Sequence, residues 1–376
     1  MTFDFNLYST PLLFGFVQGW VYAVLFWVRA WRQERLSDGV FGCLLAALTF
    51  EIWEYMLGFG GVEILWNELE FFPRHFGLLL PPLAYLYLKS QFNAGFRLMR
   101  AEFRHAIPFL VYTVYHIAVF AQGATFVEDW KEQVHIPLGI YYWEILGVFT
   151  LQVVYFYRAY RLYREYQSWA PSQFSDTEAV SFHWFRNFLL AFLASNLLSW
   201  SMTLLDLWLN LDFWHEWWDE LFNAGLIYYL GIAGYAQLQP RKLNFEPAVQ
   251  PETTPAAKTE KLSEAELQQW KQKVETLMTT EQPYLEPELT LADLAQRLHS
   301  NVSVVSAVIN GAFGKNFNDF VNEYRVEAVK KLLHDPEVRH LSLLGIGMEC
   351  GFNSKSTFNR AFKKITGSSP REFISQ

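Results

Sequence analysis

The sequence predicts an all-α protein, in which seven membrane-spanning helices form a bundle and a smaller domain of two helix-turn-helix units joined by a long helix follows. Three observations support this. Apolar runs of about 20 residues recur through residues 1–242, cationic and acidic connections alternate between them, and a 52-residue repeat follows in the last third. In addition, only 18% of the residues are charged, against roughly 25% in ordinary soluble domains.

Seven stretches have the length and polarity of a transmembrane helix, which needs about 20 mostly apolar residues. They cover residues 10–31, 38–59, 72–90, 105–122, 138–158, 182–206 and 220–239. The third stretch contains Arg74 and the prolines Pro81 and Pro82, and the fourth is short. We therefore expect a seven-span bundle over residues 1–242.

The charges between these stretches predict the orientation of the bundle. Every second connection is rich in cations: Arg29, Arg32 and Arg35, then Lys89, Arg97, Arg100 and Arg104, then Arg158, Arg161 and Arg164, then Arg241 and Lys242. The other connections are acidic and hold only Arg74 and Lys131 as cations. Because an excess of Lys and Arg marks the cytoplasmic side, the N-terminus is predicted outside and the C-terminus inside, in a bacterial inner membrane.

Several ionisable residues lie at membrane depth, where such groups are costly and commonly functional. Glu51 and Glu54 are three residues apart and share one helix face, and His116 and Glu144 lie in later spans. These four are the candidate sensor residues, because the outer connections are too short to form a separate binding domain. The alternative is that they only form hydrogen bonds between helices or, for Glu144, face the membrane interface.

A polar, proline-containing segment over residues 243–262 predicts a flexible linker, because it has too few apolar residues to form a core. Such a linker spans roughly 25 Å and keeps the next domain close to the membrane. We hypothesise that a signal shifts the seventh span and that the linker passes this movement to the C-terminal domain.

Residues 263–376 contain an internal repeat typical of paired helix-turn-helix units. A capping box at Ser263–Glu266 opens an amphipathic helix. The pattern Leu289–Ala295 returns 52 residues later as Leu341–Gly347, in each case with a hydroxyl residue that caps a short helix. The two units are predicted at about 290–310 and 341–366, joined by a helix of about 17 residues, or about 25 Å, beginning at Phe317. Together with the units that it joins, this helix suits a separation of the two reading helices by about one turn of DNA, near 34 Å, so that they reach two successive major-groove segments.

The second helix of each unit is the candidate DNA-reading helix. In the second unit, Phe358, Phe362 and Ile365 form an apolar stripe after a turn at Gly351. Its outer face carries the predicted DNA contacts Lys355, Ser356, Asn359, Arg360, Lys363 and Lys364. A helix with an apolar inner face and a cationic outer face suits the major groove.

The reading helix of the first unit, predicted over Ser303–Asn310, has shorter side chains. Ser303, Ser306 and Asn310 are its predicted DNA contacts, and an outer face of Ser303, Val304 and Ala307 has little reach to base edges. We expect phosphate and apolar contacts from this unit and most base recognition from the second. The alternative is that the first unit barely contacts DNA.

Over residues 284–376 the sequence resembles the AraC-type (AraC/XylS) transcription regulators. The matching elements run from Leu291–Ala295 through Asn316–Ala328 to Cys350–Lys364, and the match closes with Thr366-Gly367 and Ser369-Pro370. Gly347 departs from the alanine that is usual there. The whole chain is similar to membrane-anchored members of that family, which implies a regulator of transcription with a multi-span N-terminal half.

The charge distribution agrees with this resemblance. The chain as a whole has a net charge of −8. From Arg339 onward, however, the sequence has six cations and only two acidic residues, which predicts a basic patch suited to phosphates. Expected partners are double-stranded DNA, the lipid bilayer, a small-molecule or membrane-derived signal, a second copy of the chain and, for an activator, RNA polymerase.

No motif for catalysis, a cofactor or a metal ion stands out, and Cys43 and Cys350 do not form a disulfide framework, so we do not expect an enzyme. Two alternatives remain open. One is a membrane transporter or enzyme whose C-terminal DNA-binding domain is autoregulatory. The other is a C-terminal domain that binds proteins rather than DNA.

Overall fold

The computed structural model describes residues 2–177, 183–236, 245, 263–334 and 340–375. The chain divides into an N-terminal unit (Met1–Tyr163 and His183–Asn244) and a C-terminal unit (Arg164–Phe182 and Phe245–Gln376). The predicted linker at 243–262 lies outside the described residues apart from Phe245, and so do Arg241, Lys242 and Arg339. The described residues form no β-strand; their strand-like features are an isolated antiparallel bridge between Phe174 and Thr290 and a single bridge position at Asn93, so the all-α class is confirmed.

The N-terminal unit is built mainly from long apolar helices, with short helices between some of them. They are α1 (Ser9–Gln33), α2 (Leu36–Phe59), α3 (Leu80–Phe92), α4 (Arg100–Phe103), α5 (Ile107–Phe120), α6 (Ala124–Trp130), α7 (Ile140–Gln173), α8 (His183–Leu209) and α9 (Trp217–Ala236). Helix α7 has 34 residues and continues past the unit boundary at Tyr163 into the C-terminal unit.

By length and composition, four described helical stretches can cross a membrane: α1, α2, α4 together with α5, and α8. A fifth arises if α6 and α7, which are bent by 77° at their junction, are counted as one span. The third predicted span is short because α3 has only 13 residues and begins at Leu80, where Pro81 and Pro82 fit the first helical turn. The count of seven therefore stays a prediction.

Helix α2 lies at the centre of the N-terminal unit, where it packs against α1, α3 and α9. Its interior positions are filled by fully buried side chains such as Phe41, Leu44 and Ile52. A salt bridge between Arg29 of α1 and Asp38 of α2, with an N···O distance of 2.8 Å, joins the ends of these two helices. The sequence is apolar nearly all round these helices, as expected for helices that pack inside a bundle or in lipid.

The C-terminal unit contains the two predicted helix-turn-helix units. Its helices, besides the end of α7, are α10 (Glu264–Thr280), α11 (Leu291–Arg297), α12 (Val302–Phe313), α13 (Phe317–Leu333), α14 (Leu343–Glu349), α15 (Lys355–Thr366) and α16 (Pro370–Ser375). The predicted caps form: Ser263 and Glu266 make a capping box, and Thr290 and Ser342 cap α11 and α14. Helix α13 has 17 residues, the length predicted from the sequence.

Each helix-turn-helix unit has its own hydrophobic core. The first gathers apolar side chains of α10, α11, α12 and the start of α13, including Leu294, Val308 and Phe320. The second gathers those of the end of α13 with α14 and α15, including Val329 and Phe362. Helix α13 contributes to both cores, so it is the structural connection between the units.

Candidate functional site

Helix α15 begins where the sequence places a cap and presents the predicted cationic face. The hydroxyl of Ser354 accepts the backbone N–H of Thr357 at 3.2 Å, which fixes the first turn. Phe358 and Phe362 are fully buried in the second core. The six predicted DNA-contacting side chains of this helix, which are Lys355, Ser356, Asn359, Arg360, Lys363 and Lys364, are all exposed.

Two glycines allow α15 and the turn before it to pack closely. A Cβ at Gly347 of α14 would lie 3.0 Å from the Phe358 ring, so the small residue lets the two helices of the unit approach each other. Gly351 has a φ of +89°, and a Cβ there would lie 2.4 Å from the carbonyl oxygen of Tyr284. The turn that positions α15 therefore requires glycine.

One of the predicted contacts already has a partner within the domain. The ammonium of Lys364 lies 2.6 Å from a carboxylate oxygen of Asp319, near the start of α13. An exposed ion pair of this kind is worth about 1 kcal/mol or less, so it orients Lys364 without preventing a phosphate contact.

The reading helix of the first unit, α12, is longer than predicted because its apolar pattern continues to Phe313. Ser303 and Asn310 are exposed and Ser306 is half-buried, and the Asn310 amide donates to the Ser306 hydroxyl at 3.3 Å. The placement of Val304 on the outer face was wrong, since Val304 packs against the core of the first unit. The exposed face of α12 carries no cation, unlike that of α15.

Arg325 of α13 is a buried cation whose importance the sequence did not reveal. Its side chain is 0% exposed and donates to the carbonyl oxygens of Tyr284 and Glu286, both at 2.8 Å. Burial lowers the pKa of the guanidinium to about 10, while Asp176 opposes this shift. Arg325 therefore stays charged at neutral pH and holds the loop before α11 against α13.

Sequence reasoning also missed Ser175 and Asp176, which follow α7 and pack in the C-terminal unit. Ser175 is fully buried and contacts Arg325, and Asp176 accepts a hydrogen bond from Asn353 at 3.0 Å. No local pattern indicates these contacts, because the partners are 150 and 177 residues apart in the chain.

In the N-terminal unit, both candidate sensor residues of α2, Glu51 and Glu54, contact the segment before α3. The backbone N–H of Phe76 donates to Glu51, and Arg74 forms a salt bridge with Glu54 at 2.9 Å. The two carboxylates thus share one face of α2, as their spacing predicted. Glu54 forms this ion pair with Arg74, which lies outside the helices, so the contact differs from the hydrogen bond between helices that was the alternative.

The other two candidate sensor residues form a pair between helices. His116 of α5 and Glu144 of α7 lie 3.0 Å apart, measured from Nε2 to Oε1. Glu144 and Glu51 both line a cavity of about 650 Å³ whose walls are mainly apolar and come from α2, the segment before α3, α5, α7 and α8. The hydroxyl of Tyr112, which also lines the cavity, is buried without a partner of hydrogen-bond geometry among the described residues.

Comparison with known proteins identifies the C-terminal part of the chain. Residues 294–376 match the family described as "Helix-turn-helix domain". The chain is also 30% identical over 91 residues to the uncharacterized HTH-type transcriptional regulator YtdP of Bacillus subtilis (strain 168); this covers 24% of the chain and 11% of that protein. The chain thus spans about a tenth of the relative's length, and no solved structure matches it significantly. The C-terminal part of this chain is a helix-turn-helix domain of the AraC type.

Proposed function

We propose that this protein is a membrane-bound, sequence-specific DNA-binding transcription regulator that responds to a signal through its N-terminal bundle. The observation that carries the proposal is the presence, on one chain, of an AraC-type helix-turn-helix domain and, among the described residues, of four or five helices apolar enough to span a membrane. Helix α15 supplies an exposed cationic face on an apolar anchor, which is the arrangement that major-groove recognition requires.

The exposure of apolar side chains supports insertion in a bilayer. In the most apolar 18-residue stretch of each helix, only 28% of the residues of α1 and 22% of those of α8 are buried, whereas 67% are buried in the central α2. In water such faces would be unfavourable, since each buried CH₂ is worth about 0.8 kcal/mol. In lipid they are in their preferred solvent. With the charge pattern of the connections, this supports a multi-span bundle, an outer N-terminus and a DNA-binding domain in the cytoplasm of a bacterium, and seven remains the number of spans that we propose.

The cavity lined by Glu51 and Glu144 is the proposed site of the signal. Its volume of about 650 Å³ lies within the roughly 300–1,000 Å³ of small-molecule sites, and like them it combines apolar walls with a few polar groups. Tyr112 and Glu144, which is paired with His116, contribute hydrogen-bonding groups to its lining. A mainly apolar small molecule with a polar end is the class of ligand that such a cavity favours.

The test of DNA binding is the salt dependence of affinity for duplex DNA, measured by fluorescence anisotropy with the full chain in detergent. We expect the logarithm of the binding constant to fall linearly with that of the salt concentration, because bound phosphates release counterions. Lys363→Ala is expected to reduce the magnitude of this salt slope by about 1, because one phosphate contact is lost. Arg360→Ala is expected to weaken binding by about 1–3 kcal/mol, because one base contact is lost.

Lys273→Ala is the matched control, since Lys273 is an exposed cation of the same unit on α10, outside both reading helices. It should leave the slope and the affinity unchanged. An affinity that does not respond to salt, or equal losses for all three variants, would contradict the proposal and favour a domain that binds proteins.

A further inference from the structure

Residues at the end of α7 are built into the helix-turn-helix domain. We call Ser172–Asp176 the docked segment. Phe174 forms an antiparallel bridge with Thr290, the cap of α11. Ser175 donates its backbone N–H and its hydroxyl to the carbonyl oxygen of Leu289, at 3.2 and 2.7 Å. The docked segment therefore attaches to the start of the first helix-turn-helix unit.

The same segment attaches to the helix that joins the two units. The amide of Asn318 donates to the carbonyl oxygen of Ser175 at 2.6 Å, and the guanidinium of Arg325 donates to its hydroxyl at 3.1 Å. Ser175 itself is 0% exposed. The bond from Arg325 is buried, that from Asn318 is partly buried, and both come from α13, so the contact is specific.

Both reading helices lie next to the docked segment. Asp176, which is only 6% exposed, accepts a hydrogen bond from the Asn353 amide at 3.0 Å, and Asn353 directly precedes the cap of α15. At the other end of the segment, Ser172 borders a narrow gap together with Ser306 and Asn310 of α12. Those two residues are the predicted DNA contacts of the first unit.

In this position the docked segment hinders the approach of DNA. A recognition helix enters the major groove with its N-terminal residues towards the bases, so phosphates must approach the N-terminal end of α15. A carboxylate held beside that end repels them. The docked segment, whose Ser172 borders the same gap as Ser306 and Asn310, also takes up space that a DNA strand would need beside α12. Docking and DNA binding by both units therefore compete.

We propose that the docked segment is an autoinhibitory element, which must leave the helix-turn-helix domain before both reading helices engage DNA. The inference rests on the proposed function, since it assumes that the domain binds DNA. It also supplies a route for the signal: Glu144, which lines the cavity, and Gln173, next to Phe174, belong to one continuous helix. This route differs from the seventh span and the linker.

A reversible crosslink tests the proposal on the full chain in detergent. Phe174→Cys and Thr290→Cys, in a Cys43→Ala background, place two thiols at a bridged pair of residues. Paired positions of antiparallel strands have Cα atoms about 4.5–5.5 Å apart, which suits a disulfide. The probe is a fluorescent duplex of about 40 base pairs of random sequence, long enough for two major-groove segments.

We expect the oxidised protein to bind this duplex roughly tenfold or more weakly than the same protein after reduction, a typical coupling between a regulatory and a binding site. Asp176→Asn, which removes the negative charge and keeps the shape, is expected to bind roughly tenfold more tightly than the wild-type chain. The control Glu264→Gln makes the same charge change at an exposed position of α10 and should have no effect.

The outcomes separate the inference from the proposed function. Equal, salt-dependent binding by the oxidised and reduced proteins would overturn autoinhibition while leaving a DNA-binding regulator. An Asp176→Asn variant that binds no more tightly than Glu264→Gln would overturn it too. If neither the reduced protein nor Asp176→Asn shows salt-dependent binding to DNA, the proposed function fails, and the inference fails with it.

Discussion

The guanidinium of Arg325 connects three parts of the C-terminal unit through its hydrogen bonds. It binds carbonyl oxygens of the loop before α11 and the hydroxyl of Ser175 while it sits on the joining helix α13. Such a planar group with several donors can satisfy separate acceptors at once, which the single ammonium of a lysine cannot match. The buried charge is tolerated because backbone oxygens and nearby Asp176 surround it.

Two glycines with similar positive φ angles allow a matched prediction of stability. Gly351 and Gly367 have φ values of +89° and +83°, but only Gly351 has a neighbour that a Cβ would strike. Gly367→Ala is expected to cost about 1–2 kcal/mol from the left-handed conformation alone. Gly351→Ala must cost more, because the Cβ would lie 2.4 Å from the Tyr284 carbonyl oxygen.

Limited trypsin digestion of the full chain in detergent, with the C-terminal unit followed by mass spectrometry, measures this difference. The expected order of resistance is wild type, then Gly367→Ala, then Gly351→Ala. Equal resistance of the two variants would show that the turn before α15 shifts easily, which is contrary to the packing described here.

At the scale of elements, α12 and α15 occupy equivalent positions but carry different side chains. Helix α15 exposes Asn359 and Arg360, which can form paired hydrogen bonds with bases, whereas α12 exposes Ser303 and Asn310 without a cation. On DNA recovered by crosslinking in cells, we expect Asn359→Ala to weaken specific binding by about 1–3 kcal/mol. Ser303→Ala should weaken it by less than about 0.5 kcal/mol.

Anisotropy titrations of the two variants against the same recovered fragment make the comparison direct. Both substitutions remove a small polar group from an exposed helix position, so differences in folding are minimal. A larger loss of binding free energy for Ser303→Ala would contradict the expectation that the second unit makes most of the base contacts.

At the scale of the whole molecule, the orientation of the bundle can be tested with single cysteines in a Cys43→Ala background. Cys350 does not interfere, because it is fully buried and burial raises the pKa of its thiol to about 12. A membrane-impermeant maleimide is expected to label Asn67→Cys in intact cells, since this exposed residue lies in a predicted outer connection. It should label Ala94→Cys, in the next connection, only after permeabilisation.

Labelling of Ala94→Cys in intact cells would mean that α3 does not cross the membrane. The 13-residue length of α3 makes this the most informative connection to test, because the predicted count of seven depends on it. In that case the predicted orientation of every helix after α3 would also be reversed.

Much of the local structure was predictable from the sequence because its signals are local. The caps at Ser263, Thr290 and Ser342 and the 17-residue length of α13 follow from neighbouring residues. The cationic face of α15 follows from helical periodicity alone. The start of α3 was missed because apolar residues before Leu80 have the composition of a span but form turns ahead of the two prolines.

The sequence by itself determined an all-α chain with apolar helices and an AraC-type helix-turn-helix domain, since composition and short motifs encode these features. Only the tertiary structure decided which groups Arg325 binds and that His116 contacts Glu144. It also decided that Ser175 and Asp176 pack in the C-terminal unit. Those contacts join residues far apart in the chain. Their energy depends on burial and hydrogen-bond geometry, which no local pattern of residues contains.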